Sequence, residues 1–546
     1  TYTESKTVKT VGAADKATIT AAKGFEIESV TYDGSPIELK SKKTVSVNIE
    51  NKEATLAVVI KPSEDGGITL YVSPEGSENP DGTIDNPFKT PEEALSEVKR
   101  LKDNDLLDEG TITVYLRGGT YNRTSSFAFD SANTGTETSP IVIASYPGER
   151  AKFNGGLQLD PSTVQKVTDE NILNRIIDPY AKTKLMQVDL GAAGAKNLYE
   201  MADKDTEHSW IAEFFMNGSA MTMARWPNDE KTDAYVKINS VEGNGLNNPV
   251  TLGYDDSTNR AKLWSEDALK NLYIKGGLAN GWHVSFARVA SLDADNNKLT
   301  TKSGVKDYYP SAQNGKFFFM NILDEIDVPG EYFIDNANKM LYFYPISDDL
   351  ENSEMVVSQL EDRLVKITDA SYITLKDIDF AYSKLTAMQI SGSHITVDGC
   401  TVSNVGGEGI NAVGTDLTVE NSHIYGTATN GIRMASYDEN REKLIPDGNK
   451  IINNRIHGTA RVPQATAYAV MIDYSCGMEI ANNEIYDCGG IAVRMAKIND
   501  VTVHDNEIYN AVQVSSDNGA VYWGRDITTL GNRVLHNYIH NIGNEY

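Results

Sequence analysis

The sequence predicts an all-β fold, a right-handed parallel β-helix. It adds an N-terminal capping helix, an inserted β region and a small β-sandwich-like module in front. Two observations predict the solenoid. A short phrase recurs as VENSHIYG from Val419, INNRIHG from Ile452, IANNEIYD from Ile480, VHDNEIYN from Val503 and LHNYIHN from Leu535. An aliphatic-x-Asn-x-Ile rung suits stacked coils, since each coil buries an aliphatic above the last and can ladder asparagine amides inside its turns. A second strand follows each rung and opens on a small residue before an aliphatic: Gly409-Ile410, Gly431-Ile432, Ala469-Val470, Gly490-Ile491 and Ala520-Val521.

Measured at Asp377, Gly399, Asn421, Asn454, Asn483, Asn506 and Asn537, the rungs are spaced by 22, 22, 33, 29, 23 and 31 residues, so 22 is the minimum coil. The excess is expected in loops on one side, walling a groove, because insertions in a solenoid map to one face. Residues 1–63 alternate polar and apolar through TVSVNIE and ATLAVVI and form the small β module, with SEDGG as linker. Residues 68–156 start the β-helix. There Thr90 is an N-cap, Pro91 takes the first helical position, Glu93 closes a capping box, and Ala94, Leu95, Val98 and Leu101 make one apolar face. This short helix is expected to cover the open end of the stack. Between 157 and 357 the rung phrase gives way to strands such as AEFFMNG and MLYFYP, an inserted or elaborated β region. Regular coils resume over 358–546.

Composition narrows the function. Fifty Lys and Arg against 77 Asp and Glu give a net charge of −27, which argues against nucleic acid or an anionic membrane as partner. No apolar run reaches the ~18 residues of a membrane span. Cys400, Cys476 and Cys488 form no Cys-x-x-Cys pair, so they read as buried thiols rather than a disulfide framework or zinc ribbon. His457, His504, His536 and His540 occupy rung positions without metal-ligand spacing. No metal site and no cofactor are expected, although a structural calcium is compatible with the acidity. The chain opens at Thr1 without an apolar leader, as a trimmed mature form would.

The departure from the repeat is SSDNGAVYWGRD, from Ser515 to Asp526. Cleavage of a glycosidic bond usually needs two carboxylates, and stacked coils ~4.8 Å apart can supply them. Aligning the second strands on Ile432, Val470, Ile491 and Val521 puts Asp517 and Asp487 each four residues before its aliphatic, on adjacent coils. A like-charged neighbour would then raise one pKa. The same alignment stacks Asp473 over Arg494, as a substrate-gripping couple or a plain surface ion pair. Tyr522 and Trp523 alternate, so one faces the groove as a sugar platform while the other packs inward. Arg525 can hold Asp517 ionised or bind substrate, and Asp526 is either a turn residue or a substrate contact. Specificity is assigned to the loops 435–450 and 458–467.

The stretches YVSPEGSENPDGTIDNPFKTPEEAL, YLRGGTY, FFMNGSAMTMARWPN, DVPGEYFIDNANKMLYFYP, SSDNGAVYWGRD and GNRVLHNYIHNIG resemble bacterial secreted right-handed β-helix glycoside hydrolases, in particular glycoside hydrolase family 141 and its relatives. The resemblance runs from about Ile68 to Tyr546. It implies a secreted or cell-surface bacterial enzyme acting on an oligo- or polysaccharide, with Asp517 as a catalytic carboxylate. A second acid is implied one coil further on, past Tyr546, in further coils or in a further polypeptide that completes the helix, unless this chain uses a different partner. Two other readings stand beside it. One is a polysaccharide lyase on an acidic glycan, drawing on Asp473, Asp487, Asp517, Arg494 and Lys497. The other is a non-catalytic glycan-binding β-helix.

Overall fold

The computed structural model describes all residues except 1, 10–14, 22–24, 40, 41, 43, 50–52, 63–66, 104–109, 197, 205–210, 229–234, 247, 306, 307, 464, 515–517, 525 and 544–546. It is a right-handed parallel β-helix. One long sheet stacks, in parallel, Ile68–Val72, Ile112–Leu116, Ile141–Ser145, Val365–Lys376, Met388–Asp398 and Ile410–Glu420. Four further coils follow, led by Ile432–Ala435, Val470–Cys476, Val493–Asn499 and Val521–Trp523. A second parallel sheet runs from Gly119–Asn122 to Tyr538–His540. Side chains alternate across each strand, so one set points into the tube. Ile367, Ile390, Ala412, Met434, Ile472 and Met495 stack as one inward row, none more than 2% exposed. Each large member contributes about 1.5–3 kcal/mol of burial.

The ladder at the turn is polar. Asn454, Asn483, Asn506 and Asn537 follow one another coil by coil, each amide donating to the next Oδ1 at 3.0, 2.9 and 2.9 Å. Their Oδ1 atoms also accept the backbone N–H of the residue one coil below, for example Asn483 Oδ1 from Asn454 N at 2.9 Å. Ser422 takes the same seat one coil earlier, accepting from Cys400 N at 3.1 Å. In the first three rungs the sequence alignment is therefore one residue early. Asp377, Gly399 and Asn421 hold the left-handed turn position beside the ladder, with φ of 57°, 63° and 52°.

The helix Pro91–Asp103 buries Ala94, Leu95, Val98 and Leu101. Thr90 Oγ1 accepts from Glu93 N at 3.3 Å and Glu93 Oε2 from Thr90 N at 3.2 Å, closing the capping box. Its apolar face joins the tube core at Leu70, Val72 and Phe88. Ahead of the solenoid, a four-stranded and a two-stranded antiparallel sheet enclose Ile27, Val30, Val45, Val47 and Leu56.

The solenoid is interrupted without losing register. Ala151–Asn154 pairs in parallel with Ile378–Ala381, the next coil in space, and the described residues between Gly156 and Ser358 fold outside the tube as mostly antiparallel sheets with their own cores. A buried ion pair fastens this region to the coils: Glu213 accepts from Arg461 at 2.7 and 3.2 Å, and Arg461 also donates to Gly426 O. The loop excess does not lie on one side. Residues 436–449 split the first sheet between Ile432–Ala435 and Lys450–Ile452, whereas 458–469 join the second sheet to Val470–Cys476. The two insertions leave from different corners because a coil can bulge wherever its strands bend.

Outward on the second sheet, Tyr425, His457, Tyr486, Tyr509 and His540 stack with ring centroids 5.3, 4.5, 4.8 and 5.1 Å apart and planes within 10°. His423 Nε2 lies 2.8 Å from His457 Nε2. Burial, then the charge of His457 and Arg455, pushes the His423 pKa down to about 4. The three cysteines are buried, and burial pushes the Cys400 and Cys488 thiols up to about 12.

Two outcomes follow from this architecture. Replacing Asn483 by Ala leaves the buried backbone groups Asn454 N and Ile451 O on one coil, and the side-chain amides of Asn454 and Asn506, without this partner, and chemical denaturation is expected to show a loss of about 3 kcal/mol or more. A loss below about 1 kcal/mol would remove the ladder from the account of stability. For His423 the folded pKa lies below the unfolded value of 6.5, so its contribution is present above pH 6.5 and is lost as pH falls through about 4. Thermal melts of His423→Gln across that window are expected to lose less stability than wild type, and parallel curves would refute the assignment.

Candidate active site

A cleft of about 800 Å3 lies between the coils and the inserted sheets. Its floor is the outward row directly after the first aliphatic of each coil, where the register aligns Gln389, Asn411, Arg433 and Met471 and continues to Arg494 and Tyr522. Beside it runs a flanking row two residues before that aliphatic: Arg363, Thr386, Glu408, Asn430 and Tyr468, tied by backbone bonds from Gly409 to Asn430 O and from Gly431 to Tyr468 O. Met221, Met223, Arg225, Phe286, Phe318, Met320 and Tyr332 of the insertion form the opposite wall. The loop through Val462, Pro463, Thr466 and Ala467 closes one end.

Glu408 stands in the middle of this grid. Asn430 Nδ2 donates to its Oε1 at 2.8 Å, and Asn411 Nδ2 donates to its Oε2. Both carboxylate oxygens are thus oriented by amides from its own coil and the next. The chain reaches this position through Gly406 and Gly407. A Cβ on the first would lie 2.4 Å from Lys384 O, and one on the second 2.5 Å from Thr386 N, so only glycine lets the coils approach. Asn430 is fixed in turn by accepting from Tyr468 N at 2.8 Å. Burial raises the Tyr468 pKa, Arg494 opposes it, and Asp473 and Tyr522 add to the rise. Glu213, paired with Arg461, is the other carboxylate lining the cleft. Arg225 lies over the Phe318 ring, 3.4 Å from its centroid, and donates Nε to Pro227 O at 2.9 Å.

The residues singled out in the sequence fall mostly toward the C-terminal coils. Asp473 is buried and accepts from Arg494 at 2.7 Å, with Arg433 3.6 Å away. The contact is diagonal, since Met471 pairs with Arg494 and Asp473 with Ala496. The alignment on Ile491 is two residues out: Val470 pairs with Val493, and Ala492 is the small residue in register with Ala469 and Ala520. Gly490-Ile491 mimics the small-aliphatic signal inside the preceding turn. Asp487 therefore lies six residues before its coil's aliphatic, on the second sheet, exposed, with φ 50° and Asn510 donating to it at 3.1 Å.

Tyr522 lies in the floor row, paired with Arg494, and Trp523 in the inward row, paired with Met495. Asp526 accepts from Thr528 N at 2.9 Å and from Arg441 at 2.6 Å, a turn residue locked to the 436–449 loop. Asp517 and Arg525 lie outside the described residues. Among the described residues, no three His, Cys, Asp or Glu side chains converge to hold a metal ion. No helix is long and apolar enough to cross a membrane. Sequence reading passed over Glu408, Asn411 and Arg433. The available signal was the polar residue after each strand's first aliphatic, together with the Gly-Gly-Glu run.

Several known proteins are similar to this chain. Residues 331–546 match the family model described as periplasmic copper-binding protein (NosD). Pectate lyase PEL9 of Emericella nidulans is 37% identical over 88 residues, 16% of this chain and 18% of that protein. The uncharacterized protein YwoF of Bacillus subtilis is 35% identical over 96 residues, 17% of this chain and 18% of that one. The match thus spans under a fifth of the curated relatives' length. A solved structure titled "Glycoside hydrolase" superposes with a TM-score of 0.55 at 16% identity, covering 86% of this chain and 96% of that one. The complex of XylC with xylose gives 0.45 at 13%, covering 86% and 66%. The likeness to the first of these structures is one of fold, a parallel β-helix.

Proposed function

We propose that this chain is a secreted glycoside hydrolase of the β-helix kind, related to family 141, that cleaves a complex glycan lying along the cleft. The observation that carries the reading is Glu408, a carboxylate fixed by two amides beside the floor of a cleft lined by Asn, Gln, Tyr and Arg side chains. Those groups suit a polyhydroxylated ligand, and a single polymer strand can run along stacked coils. Glu408 is assigned as the carboxylate that attacks the anomeric carbon or activates water, with Glu213 as its partner. The coil led by Val521 lies four steps from the coil of Glu408, ~19 Å along the axis, so the partner is taken from the insertion instead. Asp517, outside the described residues, stands as the centre of an alternative site that would draw on Tyr522, Trp523, Asp473 and Arg494.

Arginines in the cleft favour one second reading, β-elimination from an acidic glycan. It yields an unsaturated product that absorbs in the ultraviolet, which hydrolysis does not. A binding-only solenoid releases neither product.

The test is a reducing-sugar and ultraviolet screen over plant and mucin glycans with wild type, Glu408→Gln and Asp517→Asn. Glu408→Gln is expected to lower kcat/KM at least ~100-fold, the scale of a lost acid-base group, with the melting temperature little changed. Retained activity in that variant with loss in Asp517→Asn would move the centre to the last coil. Activity retained in both would end the carboxylate reading.

A further inference from the structure

We propose that the cleft selects glycans carrying anionic sugars, which it holds through Arg363 and Arg433 on either side of Glu408. This rests on reading the cleft as a glycan site and adds the class of sugar. The chain carries a net charge of −27, so its overall field repels anions. The cleft runs against that trend. Among the described residues, its charged lining is Lys275, Arg225, Arg363, Arg433 and Arg461 against Glu213 and Glu408.

Arg461 is matched by Glu213, and Arg225 is engaged with Phe318 and Pro227. Arg363 and Arg433 differ. The carboxylate nearest Arg433 among the described residues is Asp473, 3.6 Å away and already bonded to Arg494 at 2.7 Å. Arg363 approaches Asp362 only to 4.0 Å, and its Nε is buried without a hydrogen-bond acceptor among the described residues. A buried donor left without an acceptor is costly, and an acidic ligand supplies one.

Their placement is also specific. Arg363 belongs to the flanking row of the coil led by Val365, Arg433 to the floor of the coil led by Ile432, three steps on and thus ~14 Å along the axis. Glu408 lies on the coil between Gln389 and Arg433. A polymer strand over Glu408 therefore brings sugars on both sides within reach of a guanidinium. The planar fork matches a carboxylate or sulfate through two parallel hydrogen bonds, which a lysine cannot reproduce.

The experiment is a titration by calorimetry or affinity electrophoresis. It uses wild type, Arg363→Gln, Arg433→Gln and the double variant, each checked for an unchanged melt. Polygalacturonate and its carboxyl-reduced form make the carboxylate arm, and a carrageenan and its desulfated form the sulfate arm. At least one anionic probe is expected to bind about 10-fold or more tightly than its neutral counterpart, with each substitution removing about 10-fold for that probe alone. Which arm responds names the anion. Equal binding of charged and neutral forms, equal losses on both in the variants, or no binding of either anionic probe would overturn the proposal. Hydrolysis of a neutral glycan that Glu408→Gln abolishes, without anion preference, would leave the hydrolase reading standing and remove this one. Anion-selective binding without bond cleavage would do the reverse.

Discussion

Register between coils is the constraint on which everything else depends. In a parallel β-helix each residue sits over its counterpart one coil away, and a slip of one residue would turn the inward row outward. Here the register is held from within by stacked aliphatics and at one turn by the asparagine ladder, where each side chain bonds both the next asparagine and the backbone below. The amides satisfy turn groups that no strand can reach. Lacking those partners, the turns would bury unpaired polar groups at a cost of about 1–3 kcal/mol each.

Because register is set locally, coil by coil, the chain can leave the tube and return. The excursion from Gly156 to Ser358 begins after Ala151–Asn154 and ends before Val365–Lys376, and the strands on either side pair as if it were absent. The excursion then supplies what a bare solenoid lacks, a second wall. Glu213 of the excursion and Arg461 of a coil loop bond across the junction, so the wall is fastened to the floor it faces. The cleft is thus a product of insertion plus register.

The solenoid and the capping helix were legible because their signals are local: a repeated rung, a Thr-Pro-Glu-Glu start, an apolar face of four residues. The details that failed were register details. Gly490-Ile491 resembles the strand opening, yet Ala492-Val493 occupies it, since Ala492 is the residue whose carbonyl accepts from Val470 N. Asp377, Gly399 and Asn421 look like ladder seats but hold the left-handed turn next to them. The centre of the cleft was harder still. Glu408 sits in NVGGEGINAV, which reads as turn and strand, and nothing in the linear sequence says that Arg225 and Phe318, far earlier in the chain, close over it. An outward residue earns no periodic signal, because periodicity reports what is buried.

That separation has a physical consequence for how such a protein can change. Inward rows and the asparagine ladder carry the stability, and their tolerance is narrow, since even one methylene is felt in a close-packed core. Outward rows carry the chemistry, and a coil presents several of these positions at fixed ~4.8 Å steps whatever side chains occupy them. Gln389, Asn411, Arg433, Met471, Arg494 and Tyr522 put five residue types at six positions on one line of one scaffold. Charge along that line can vary without disturbing the tube, which is how a chain of net charge −27 can hold guanidinium groups over a groove. Register fixes the backbone position of each of these groups, so presenting them over the cleft needs no further ordering of the chain.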